Sequence, residues 1–92
     1  MNKLDQRTPS ELAAELAARV RARRKELGLS QERLAQKSQV SLGSIKRFES
    51  IHEISLKSLM RIAIALDAED DFDKLFSHRQ YRSIQDVINE QT

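Results

Sequence analysis

The chain has no cysteine among its 92 residues, so neither a disulfide framework nor a thiolate metal site is open to it, which suits a reducing compartment. Glycine and proline are nearly as scarce, with two Gly and one Pro where average usage would place roughly 11 such residues. Sandwiches and barrels spend those residues in their many turns, so an all-α fold is expected. Tryptophan is absent too. No apolar run approaches the ~18 residues of a membrane span, and the leading MNKLDQRTPS lacks the apolar stretch of a secretion signal. The expectation is a soluble, cytoplasmic protein with no membrane partner. His52 and His78 fall in expected connections and in no metal-ligand spacing, and no GxxxxGK[ST], GxGxxG or GxSxG pattern occurs. Neither an enzyme, a cofactor nor a metal site is expected.

What is present suffices for one small domain. Leu, Ile, Val and Phe supply 24 residues, about a quarter of the chain, which is above the level at which chains stay disordered. Net charge is only +2, yet it is unevenly spread. Residues 1–66 carry 13 Lys/Arg against 7 Asp/Glu, and residues 67–92 carry 3 against 7. The body is basic and the tail acidic. The stretch 19–47 holds nine cations and two anions, a field that attracts a polyanion.

Helix signals organise these charges. Thr8-Pro9-Ser10-Glu11 reads as a capping box with proline at the first helical position, and Leu12, Leu16, Val20 and Leu27 recur at helical spacing until Gly28. Ser30 caps a second helix to Ser38, and Ser41 caps a third to about Ser50, with Ile45, Phe48 and Glu49 on one face. Two short helices so closely joined form a helix-turn-helix. Ser55 opens a fourth, about 56–66, with Leu59, Ile62, Ala63 and Leu66 inward; Glu69, Asp70 and Asp71 suit the start of a fifth, about 70–76. If Ile45 points inward, then at 100° per residue Gly43, Lys46, Arg47 and Ser50 point outward. Small residues permit close approach and long cations reach base edges or phosphates, so this face suits the DNA major groove. Arg47 is the first candidate for base contact and Lys46 for phosphate.

The stretch 19–66 resembles the Cro/repressor-type (XRE) helix-turn-helix DNA-binding proteins. Leu-Gly-Leu-Ser-Gln at 27–31, then Leu34-Ala35, Val40, Ile45, Phe48 and Glu49, carry the resemblance. It implies a phage-repressor-like five-helix bundle over residues 9–76, preceded by an arm at 1–8 and followed by a tail at 77–92, the end of the acidic stretch 67–92. It also implies DNA contacts at the start of the third helix, Ser41, Leu42, Gly43 and Ser44, with phosphate contacts from Gln31 and Lys57. Arg24 and Glu49 are implied to form a structural ion pair. Two glycines usual in the family are replaced, one by Gln39, which must then take a positive φ, and one around Ser50-Ile51. The function implied is a homodimeric transcriptional regulator, by default a repressor, on a palindromic double-stranded site. Phe48-Glu49, Glu53-Ile54-Ser55-Leu56 and the run 70–76 are more loosely similar to antitoxin regulators encoded beside HipA-like kinases, which would add a toxin partner and autoregulation. A third alternative is a protein-interaction module without DNA binding, since Leu42 and Gly43 lack side-chain donors. Ile84, Val87 and Ile88 in the tail form a short apolar stripe suited to a dimer or partner contact, or to closing the protein's own core.

Overall fold

The computed structural model describes residues 6–79, and among them every regular element is helical. The α1 helix is Pro9–Glu26, α2 is Gln31–Ser38, α3 is Leu42–Ile51 and α4 is Leu56–Ala65, followed by a 3-10 helix, Glu69–Lys74. Each α-helix starts where its side chains can satisfy an orphan backbone N–H. Thr8 forms a reciprocal capping box with Glu11, while Ser30, Ser41 and Ser55 accept from the N–H groups of Arg33, Ser44 and Ser58.

Helix ends show where the chain bends. Gly28 takes φ +70 after α1. Gln39 ends α2 at φ 59, in the left-handed region its place in the helix-turn-helix demands. The second missing glycine corresponds to His52, not to Ser50-Ile51: α3 continues through Ile51, and His52 turns left-handed at φ 69 while its N–H bonds to the Arg47 and Phe48 carbonyls.

The core lies where α2, α3 and α4 meet. Leu34, Val40, Ile45, Ile62, Ala65 and Leu66 form one buried cluster, with Val20, Leu29 and Ile54 packed against it. Burying side chains of this size stabilises by about 1.5–3 kcal/mol each, which is the force that docks these short helices. In α1 the inward set differs from the expected leucine stripe. Leu12 and Leu27 are 46% and 40% exposed, and the buried positions are Ala17 and Arg24. Arg23 Nε donates to the Leu66 carbonyl, fastening α1 to the end of α4.

The expected fifth α-helix at 70–76 is a 3-10 helix that stops at Lys74. Ala68, at its N-cap, has no side chain able to accept a hydrogen bond, and no side chain caps this end. Phe72 is half-buried, but Leu75 and Phe76 are exposed, Phe76 almost fully. An open groove of about 650 Å³ lies between α1, α4 and the 3-10 helix, lined by Leu16, Val20, Leu59, Ala63, Phe72 and Leu75 among others. Most of the arm assigned to residues 1–8, and the stripe of Ile84, Val87 and Ile88, lie outside the described residues. No helix among those described is long and apolar enough to cross a membrane.

Candidate nucleic-acid interface

The outward face of α3 is set by what its inward face grips. Ile45 and Phe48 are buried in the core, and Glu49 is buried by charge pairing rather than by apolar contact. Arg24 meets it with both edges of a fork: Nε to Oε2 at 2.8 Å and Nη2 to Oε1 at 3.0 Å. Its remaining nitrogen, Nη1, donates to the Leu29 carbonyl at 2.7 Å. Gln31 Nε2 donates to Glu49 Oε1 at 3.1 Å, and Arg21 Nε stands 3.7 Å from the same oxygen. A single carboxylate thus joins α1, α2 and α3, and Arg24 ties the turn after α1 to the same cluster. Burial is the largest influence on the Glu49 carboxyl and would raise its pKa, but hydrogen bonds from Arg24 and Gln31 and the charges of Arg24 and Arg21 together outweigh it. The group is held below its ordinary value and stays ionised.

With the helix so fixed, Gly43, Lys46, Arg47 and Ser50 are exposed on its outer side. A Cβ added at Gly43 would meet nothing within 4 Å, so the protein itself does not need glycine there; the open space faces outward. Leu42 and Ser44 are half-buried at the flank. Ser41 spends its oxygen capping the Ser44 N–H and donates its hydroxyl to Ser44 Oγ at 2.8 Å, which leaves the Ser44 proton for an outside acceptor. Ser50 donates to the Lys46 carbonyl and is turned back on its own helix. Lys57 is exposed in the first turn of α4.

Gln31 is placed differently from the other candidates. One proton of its side-chain amide is engaged by Glu49, so the start of α2 offers an anion the second amide proton and the backbone N–H groups of Gln31 and Glu32. Two participants were missed in the sequence. Arg21 joins the Glu49 cluster one helical turn from Arg24, a spacing that was available to see. Glu53 pairs with Arg47, Nη2 to Oε1 at 2.6 Å, across a separation of six residues that no helical rule anticipates.

A short helix packed across a second, with an exposed cationic and small-residue face and a four-way tether behind it, is the arrangement of a DNA-reading unit. The family model described as Helix-turn-helix matches residues 20–72, more than half of the chain. The chain belongs to the helix-turn-helix family. It is a DNA-binding regulator of the XRE type. No curated protein and no solved structure matches it. The looser likeness to HipA-associated regulators gains nothing from these comparisons. Among the described residues no group of three or more His, Cys, Asp or Glu could hold a metal ion.

Proposed function

We propose that this helix-turn-helix protein is a homodimeric repressor that reads a palindromic site in the DNA major groove with α3. The observation that carries the reading is the outer face of that helix, where Arg47 and Lys46 project beside the side-chain-free Gly43. Arg47 contacts a guanine, because its guanidinium matches O6 and N7 together. Ser44 donates to a neighbouring base, while Leu42 and Gly43 permit contact with a thymine methyl and close approach to the groove. Ser41 stands beside them as the cap that fixes Ser44. Lys46, Lys57 and the backbone N–H groups at the start of α2 bind phosphates, and Arg24 with Glu49 keeps α3 at its docking angle.

Dimerisation places two such helices about 34 Å apart, one turn of the duplex. Leu56, Met60 and Ile64, exposed at four-residue spacing along α4, support association with a second copy. Selection from a pool of random duplexes tests the reading. Recovery of a palindrome with a guanine in each half-site is expected; recovery of no common sequence contradicts it.

A second reading keeps the DNA face and adds a protein partner such as a toxin. It is favoured by Leu75 and Phe76, which stand exposed in the same acidic run that carried the HipA-type likeness. A neighbouring reading frame without a toxin-like sequence removes that support.

A further inference from the structure

The pairing of Arg47 with Glu53 places an anion on the surface that is to meet a polyanion. On a continuous helix residue 53 would sit about 120° around the axis from residue 47. The left-handed turn at His52 breaks the helix and returns the chain alongside α3, so that the Glu53 carboxylate reaches Arg47 Nη2 at 2.6 Å. The two side chains line one recess with Ser44, Ser55 and Ser58, between the outer face of α3 and the start of α4. Both are more than 60% exposed, so the pair adds little to the stability of the fold.

Its chemistry bears on recognition instead. A guanidinium has five N–H donors arranged as two two-donor edges that share Nη2. Glu53 engages one Nη2 proton. Whichever proton that is, the other Nη2 proton still forms a complete two-donor edge with either Nη1 or Nε. Arg47 can therefore present a bidentate edge to guanine O6 and N7 while Glu53 holds it from behind.

We infer that Glu53 is a specificity-determining residue that positions Arg47 for guanine and penalises sites lacking that guanine. The inference rests on the DNA reading proposed for α3. Over guanine, the arginine satisfies the base and its glutamate together. Over another base, Arg47 gains by swinging to a phosphate, which strands the Glu53 charge in the field of the duplex. The penalty acts against wrong sites rather than in favour of the right one.

The test uses the full chain, the duplex recovered by selection, and the same duplex with each guanine replaced in turn by 7-deazaguanine, which removes the N7 acceptor and leaves base pairing intact. Glu53→Gln is expected to bind all these duplexes more tightly than wild type. Its discrimination at the Arg47 guanine should fall about threefold to tenfold, with an unchanged melting temperature. Glu53→Asp should recover part of the ratio, and in an Arg47→Ala background Glu53→Gln should not change it. A Glu53→Gln protein that keeps the wild-type ratio overturns the inference, as does an equal fall in the Arg47→Ala background. If wild type discriminates at no guanine, the reading of α3 fails with it; normal wild-type discrimination that Glu53→Gln leaves intact overturns the role of Glu53 alone.

Discussion

Gln39 and His52 hold left-handed backbone without being glycine, at φ 59 and φ 69, one before and one after α3. An L side chain in that region costs about 1–2 kcal/mol, partly offset when glycine replaces it by the greater freedom glycine gives the unfolded chain. Gln39→Gly should therefore stabilise the protein by about 0.5–1 kcal/mol, moving its denaturant midpoint upward. A lower midpoint would show that the side chain contributes something its exposure does not suggest. The two positions differ in how far the sequence betrays them. Gln39 follows a capped helix of known length and occupies a place where glycine is usual, so its conformation is expected. His52 is found only when α3 is seen to continue one residue beyond Ser50, and with it comes Glu53, whose approach to Arg47 depends on that turn.

Between elements, the Glu49 cluster sets the angle of α3. Apolar periodicity alone misplaces the buried face of α1, because it favours Leu27 and overlooks Arg24, whose burial is licensed by a carboxylate 25 residues away. The reverse error occurs at 70–76, where three acids and Phe72, Leu75 and Phe76 look like an amphipathic helix start but no side-chain cap exists to begin one. Elements with a serine or threonine cap and a core-facing stripe were legible from the residues; the long-range pair of Arg24 and Glu49 was legible only through the family resemblance, and the pairing of Arg47 with Glu53 was not legible. Glu49→Leu should cost about 3 kcal/mol, since it leaves the Arg24 charge buried without its anion. The double variant Arg24→Met with Glu49→Leu should cost less than Glu49→Leu alone, and additive losses in a double-mutant cycle would contradict the coupling. Acid has a related effect. Because the folded Glu49 pKa is depressed, its contribution is complete above the unfolded value of about 4.3 and drains away as pH falls through the lower folded value. Unfolding measured down this range should show a steeper acid loss for wild type than for Glu49→Leu.

Across the whole molecule, a net charge of +2 hides a separation of sign. Lys46 and Arg47 stand on α3, while Asp67, Glu69, Asp70, Asp71 and Asp73 gather from the end of α4 through the 3-10 helix. Cations gathered on the face proposed to meet DNA speed encounter with a duplex and make association sensitive to salt. On the DNA reading proposed for α3, affinity comes from several phosphate contacts and sequence choice from few side chains, because Leu42 and Gly43 bring no donors. The most direct measurement of this division of labour compares wild type and Arg47→Ala on the selected duplex and on duplexes with each base pair changed, at fixed salt. If Arg47 reads a guanine, Arg47→Ala should lose about 1–3 kcal/mol of discrimination at one base pair of each half-site and keep its preferences elsewhere. An Arg47→Ala protein that discriminates every position as well as wild type would contradict it.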